Sequence, residues 1–151
     1  MKPSFRPCTP ADSEWAYELK REAYQSVVER QFGPWDESFQ RQLFAERWKP
    51  EFSRIVFIAN EPVGLIAVIE RAEENWIDEI QLTAPWRSRG LGTLLIKGEV
   101  ERARALGKPV ALQVLRENAR ARSLYLRLGF RITAETATHH RMSSASVAAL
   151  L

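Results

Sequence analysis

The sequence predicts an α/β domain, a mixed sheet flanked by helices, and three observations carry that expectation. Segments with apolar residues at helical spacing alternate with short runs rich in Val, Ile and Leu, and Gly and Pro fall at the junctions. A hairpin-like pair of strands is then followed by strand, helix, strand and helix.

Taken in order, Phe5 and Pro7 lie in a short strand, and Thr9-Pro10-Ala11-Asp12 opens a helix with Thr9 as N-cap and Pro10 at the first helical position. That helix runs to about Arg30 and breaks at Gly33-Pro34. Asp36 caps a second helix carrying Phe39, Leu43, Phe44 and Trp48 at helical spacing, ended by Lys49-Pro50. Residues 55–59 and 63–69 form two strands around a turn at Asn60-Glu61-Pro62, and residues 76–83 form another. A helix from Gly90 to about Leu106 stops at Gly107, residues 109–115 make a strand, and Asn118 opens a helix ended by Gly129. Residues 130–133 and the stretch around His139-His140-Arg141-Met142 are closing strands. The domain therefore spans 1–142, with 143–151 a polar, Ser/Ala-rich tail.

A chain of 151 residues fits one ordinary domain and needs no disulfide staples to bury a core. Hydrophobic residues at 45%, charged residues at 27% and the lack of a long apolar run exclude a membrane span and wholesale disorder. The segment Met1-Lys2-Pro3-Ser4-Phe5-Arg6 lacks the apolar stretch of a secretory signal, and Cys8 is the single cysteine, so a cytoplasmic address without disulfides is expected. The net charge of +3 is unevenly spread: residues 1–75 hold 10 Lys and Arg against 13 Asp and Glu, and residues 76–151 hold 12 against 6. The second half should attract anions. No RNA- or DNA-recognition motif accompanies its charge, so neither nucleic acid nor membrane is the expected partner.

The segment Ala84-Pro85-Trp86-Arg87-Ser88-Arg89-Gly90-Leu91-Gly92-Thr93 joins a strand to a helix, where unpaired backbone N–H groups and the positive dipole end suit an anion. Glycine lets the backbone approach a diphosphate closely, and Arg87 and Arg89 add charge. The alternative is a glycine-rich helix entry stabilised by capping alone. A dinucleotide fingerprint is incomplete because Leu95 stands where a third glycine belongs, and no Gly-Lys-Ser/Thr follows.

Downstream lies Asn118-Ala119-Arg120-Ala121-Arg122-Ser123-Leu124-Tyr125-Leu126-Arg127-Leu128-Gly129-Phe130. Together with the Arg-x-x-Gly-x-Gly segment it resembles the GNAT superfamily of acetyl-CoA-dependent N-acetyltransferases. Asn118, Ala121, Leu124, Tyr125, Gly129 and Phe130 match that family's pattern position by position. The resemblance implies the GNAT fold, with two central parallel strands, 76–83 and 109–115, splayed into a cleft for the pantetheine arm. Backbone groups of Ile80, Leu82 and Thr83 would pair with pantetheine and acetyl, and Arg87, Ser88, Arg89, Gly90, Leu91, Gly92 and Thr93 would hold the pyrophosphate. Asn118, Ala121 and Leu124 would face the cofactor from the other side, and Arg120 and Arg127 would reach its phosphates. Acetyl-CoA is then the donor substrate, no metal is needed, and Tyr125 is the general acid for the departing thiolate. A core tyrosine on an amphipathic helix is the alternative for Tyr125. Within the same fold, a coenzyme A-binding sensor without efficient chemistry is the rival function, and the closing strands with the tail are the candidate contact for a homodimer.

An ammonium acceptor must lose a proton before it attacks a thioester. Some relatives carry a base where this chain has Trp76 or Gln113, neither of which can serve, so those two are expected to line the acceptor site. Strand alternation puts Asp78 with Trp76, Ile80 and Leu82 on one face and Glu79 with Ile77 and Gln81 on the other. The aminoglycoside 6'-N-acetyltransferase branch has an acidic residue at the place matching Asp78, which makes Asp78 the first candidate base and Glu79 the second. A strand carboxylate paired with an arginine is the alternative. The connection containing Phe32, Trp35 and Asp36 would wall the acceptor site through aromatic and carboxylate contacts, or else pack the corner and cap the second helix. His139 and His140, adjacent on a strand, face opposite ways and do not suggest a metal site.

Overall fold

The first helix starts where its proline permits. In the computed structural model, which describes residues 1–145, strand β1 (Ser4–Pro7) leads into a 3₁₀ turn at Pro10–Asp12 capped by Thr9. The Thr9 N–H donates to Asp12 Oδ2 at 2.8 Å, and Arg6 grips both Asp12 oxygens at 3.1 Å. The α-helix proper, α1, is Ser13–Phe32, so the helix expected from Pro10 begins with a tighter turn. Gly33 ends it at φ 99°. Helix α2 (Glu37–Arg47) has no buried residue of its own. Aromatic contacts hold it instead: Phe44 meets Tyr17 edge-on at 5.5 Å and stacks on Trp48 at 5.3 Å. Phe39, expected on that apolar face, is exposed.

Strands β2 (Ser53–Ile58) and β3 (Glu61–Glu70) form the hairpin, but its turn is Ala59-Asn60 rather than Asn60-Glu61-Pro62. Both turn residues have positive φ, 49° and 67°, the geometry that suits the strand twist in a two-residue loop. Pro62 sits inside β3, next to a register shift between Val56 and Phe57 that accommodates its missing N–H. Strand β4 (Asn75–Leu82), helix α3 (Leu91–Ala105), strand β5 (Val110–Leu115), helix α4 (Ala119–Arg127), and strands β6 (Arg131–Glu135) and β7 (His139–Ser143) complete the chain. The seven strands follow the order β1-β2-β3-β4-β5-β7-β6.

The chain packs as two compact units. One comprises Met1–Ala67 with Glu79–Arg87, and the other Val68–Asp78 with the chain from Ser88 onward. In the first, Cys8, Ala16, Leu19, Ile55 and Leu65 form a core cluster covered by Trp15, Phe44, Trp48 and Phe57. The Cys8 thiol is pushed up to about 11 by its burial. In the second, Leu91, Ile96, Val110, Leu112, Phe130 and Met142 are fully buried. There β4 pairs in parallel with β5 only at Asn75–Val110 and Trp76–Ala111, whereas β5 stays paired with β7 from Ala111 to Leu115. The Ser144 N–H donates to the Val110 carbonyl at 2.8 Å, so pairing continues into the first residues of the stretch read as a tail. Residues 146–151 of that tail lie outside the described residues.

Gly64 fixes the spacing of β3 against β4. A Cβ there would stand 2.6 Å from the Gln81 carbonyl oxygen and 2.7 Å from Leu82 Cδ2. Gly64→Ala should therefore cost about 1–3 kcal/mol, the scale of overpacking, read as a lower urea midpoint; wild-type stability would mean that β4 gives way freely.

Candidate functional site

After β4 the chain makes a 3₁₀ turn at Ala84–Trp86 and enters the segment expected to hold an anion, Arg87 to Thr93. The Arg87 Nε donates to the Leu82 carbonyl at 3.0 Å, while Arg87 Nη2 is buried without a partner among the described residues. Ser88 and Gly90 both adopt positive φ, 60° and 87°. Gly90 is the N-cap of α3 and offers no side chain to its first turn, so the N–H groups of Leu91, Gly92 and Thr93 have no intrahelical acceptor. A Cβ at Gly90 would meet nothing within 4 Å; glycine is required there by backbone conformation, not by space. From α4, Arg120 Nη2 donates to Ser88 Oγ and brings a guanidinium to that segment.

Asn118 opens α4 as its N-cap, its Oδ1 accepting from the Ala121 N–H at 3.2 Å. One helical turn further, Tyr125 is buried with its ring 5.6 Å from Phe130. Its hydroxyl has no hydrogen bond among the described residues, and burial pushes its pKa up to about 12. Ala121 and Leu124 are half-buried and Arg127 is exposed in the last turn.

The two candidate bases stand in different surroundings. Glu79 is claimed twice: Lys20 Nζ lies 2.6 Å from Oε1, and Gln81 Nε2 donates to Oε2. Asp78 takes one hydrogen bond, from Trp76 Nε1 to Oδ1 at 3.2 Å, and is half-buried. These contacts agree with the expected alternation, 76 with 78 and 79 with 81. Trp76 is buried, with the guanidinium carbons of Arg71 and Arg141 over its ring at 4.4 and 5.7 Å. Gln113 is exposed on β5, opposite Arg141 of β7.

Each of the three residues expected to meet pantetheine through its backbone has one backbone group engaged within the chain. The Ile80 carbonyl accepts from the Tyr24 hydroxyl at 3.1 Å, the Leu82 carbonyl from Arg87, and the Thr83 N–H donates to the Val63 carbonyl at 2.9 Å. On the expected acceptor side, Asp36 Oδ1 accepts from the Phe39 N–H at 3.0 Å, which is a helix cap. Trp35 is pinned by its backbone N–H to Glu29 and its indole N–H to Glu37, at 3.1 and 3.0 Å. Phe32 is 58% exposed, so it does not pack the corner. A hollow of about 50 Å³ borders Trp35 and Lys20, while the larger one, about 360 Å³, is lined by Tyr17, Arg41, Phe44 and Trp48 and holds none of the candidate residues. His140 is buried beside Glu135 and His139 faces Thr138. Among the described residues no group of three or more His, Cys, Asp or Glu is placed to hold a metal ion, and no helix is long and apolar enough to cross a membrane.

The model of the Acetyltransferase (GNAT) family matches residues 16–130. The chain belongs to this family. It is an acyltransferase, and the fold agrees with solved GNAT-type structures. PaiA N-acetyltransferase from Thermoplasma acidophilum in complex with coenzyme A is 18% identical with a TM-score of 0.76, the match covering 95% of this chain and 99% of that one. An acetyltransferase from Thermus thermophilus is 20% identical with a TM-score of 0.70, covering 95% and 96%. The ribosomal-protein-S18-alanine N-acetyltransferase from Escherichia coli is 16% identical with a TM-score of 0.67, covering 95% and 93%. No curated protein matches the sequence.

For this GNAT acetyltransferase, sequence reasoning missed Lys20 and Tyr24. They stand one turn apart on α1, and both reach β4, at Glu79 and Ile80. The legible signal was two polar heads spaced i, i+4 on a helix whose stripe is otherwise apolar; their partners, more than fifty residues away, were not legible. The cap at Asp36 is checkable by itself: Asp36→Ala should cost about 1 kcal/mol in chemical denaturation, and no loss would make α2 independent of its cap.

Proposed function

We propose that this acyltransferase moves acetyl from acetyl-CoA to a primary amine by direct attack on the thioester, with no covalent enzyme intermediate. The supporting observation is the entry to α3: an uncapped terminus, two positive-φ residues before it, and a buried nitrogen of the preceding Arg87 with no partner among the described residues. Those unmet donors suit a diphosphate. Arg87, Ser88 and Arg89 with the N–H groups of Gly90, Leu91, Gly92 and Thr93 would hold it. Arg120 adds charge, and the exposed Arg127 would join it. Asn118, Ala121 and Leu124 would pack on the cofactor. The pantetheine arm would pair with β4 backbone in the segment of Ile80, Leu82 and Thr83, through groups other than those already engaged.

Positioning two bound reactants supplies most of the acceleration. Asp78 would take the ammonium proton: its Oδ2 has no hydrogen bond among the described residues, whereas both Glu79 oxygens are occupied. As the amine attacks, the C–S bond breaks, and Tyr125 would give its proton to the leaving sulfur. A tyrosine at about 12 is a weaker acid than a thiol near ~8.5, so the transfer looks uphill. Burial penalises a thiolate in the same surroundings as it does the phenolate, which narrows the gap. The acceptor, a small amine, an aminoglycoside-like compound or a protein amine, would meet Trp35, Gln113 and the exposed Phe32. In this reading the catalytic domain, read from the sequence as 1–142, extends through β7 to Ser144, the remaining residues are the tail, and a cytoplasmic address would suit the donor.

Turnover followed by thiol release against a panel of amines tests the proposal. Asp78→Asn and Tyr125→Phe should each lower kcat by about 10²–10⁴, the range of general acid–base catalysis, with coenzyme A affinity little changed. Because burial holds the Tyr125 proton to about 12, kcat/KM should show no falling limb below pH of about 11. Full activity in both variants would sink the assignment. Arg120→Gln should weaken coenzyme A binding about fivefold at low salt and less at high salt, as an exposed charge contact does. Calorimetric titration at two ionic strengths reads it.

A further inference from the structure

The second unit carries a linked set of contacts that the proposed chemistry does not use. Glu74 joins two arginines, Oε1 to Arg141 Nη2 at 2.5 Å and Oε2 to Arg71 Nη1 at 3.2 Å. Both guanidiniums lie over the Trp76 ring, a cation–π arrangement. Arg71 is tied back in turn: its N–H donates to the Glu74 carbonyl at 2.9 Å, and its own carbonyl accepts from Lys108 Nζ at 2.8 Å. Arg141 arrives from β7, in register with Gln113 of β5. The product of this arrangement is a fixed indole. Its one polar hydrogen points to Asp78 Oδ1, two residues along the same strand face.

We propose that Trp76 is a positioning residue for Asp78, and that the Arg71–Glu74–Arg141 group holds the indole that does the positioning. The inference rests on Asp78 being the base. An indole has a single donor and no acceptor, so its bond to a carboxylate is directional. Occupying Oδ1 turns Oδ2 toward its task and removes the rotation that a short carboxylate otherwise has. Trp76 thus aligns the residue that takes the proton without touching the amine's proton itself. A purely structural role predicts a change in stability; a positioning role predicts a change in kcat that exists only while Asp78 is present.

The test compares wild type, W76F, D78N and W76F/D78N, using acetyl-CoA and the fastest amine of the panel, with a thermal melt of each protein. Phenylalanine keeps a ring face for the arginines and lacks the N–H. W76F should lower kcat about tenfold, the scale of one lost charge-assisted hydrogen bond. It should leave KM for acetyl-CoA within about twofold, melt close to wild type, and add nothing in the D78N background. The proposal is overturned by wild-type kcat in W76F, by a loss confined to KM, or by an equal loss in both backgrounds. If W76F does not fold, E74Q takes its place, since it loosens the arginines with Trp76 and Asp78 intact. E74Q should lower kcat by a smaller factor, again only with Asp78 present, and an equal fall without Asp78 overturns the idea. A fully active D78N removes the base assignment and the positioning role together. A crippled D78N beside a normal W76F removes only the positioning role.

Discussion

Backbone donors in the first turn of α3 that find no acceptor among the described residues are the constraint on which that helix entry depends. A serine or aspartate at the N-cap of α3 would satisfy one of them and stabilise the helix by about 1 kcal/mol. Gly90 stands there instead, in a left-handed conformation. Ser88 takes a similar conformation although it is not a glycine, at a cost of roughly 1–2 kcal/mol. Just before them, Arg87 Nη2, buried and without a partner among the described residues, carries a desolvation penalty of about 1–3 kcal/mol. Each choice works against stability alone, and the anion proposed above would offset it.

Charge elsewhere plays a smaller part. Arg41 joins Glu14 and Glu37 and lies 4.3 Å over the Tyr17 ring, but it is 44% exposed, so solvent screens those pairs. The aromatic contacts of Phe44 with Tyr17 and Trp48 fix α2 more firmly, because they remove apolar surface from water. Lys20 with Glu79 differs in kind. It is more enclosed and joins α1 to β4, so its main effect is on where β4 residues point.

Much of the fold was legible because its punctuation is local. Gly33, Asp36, Gly107, Asn118 and Gly129 each mark a helix end by their own backbone or side-chain chemistry, and the structure ends helices beside them. The hairpin turn was expected too late in the chain and a residue too long because Pro62 is a strong turn signal; a bulge let it stay in a strand, and pairing across a bulge is not local information. The glycine-led entry to α3 was legible for the same reason as the caps. The difference between Asp78 and Glu79 was only half legible: alternation separates their faces, but the lysine that claims Glu79 comes from a helix 59 residues earlier. Trp76 was legible as a large ring on a strand and not as a donor, since its arginine cover comes from β7 and from the connection before β4.

Cys8 has a practical consequence. It is the only cysteine in the chain, it is 8% exposed, and its thiol at about 11 leaves a thiolate fraction on the order of 10⁻⁴ at neutral pH. Disulfide-exchange dyes need the thiolate, so the folded protein contributes a silent background when they are used to count released coenzyme A. A thiol introduced on the surface would be the one reactive handle on the molecule, available for a fluorophore without first deleting the native residue.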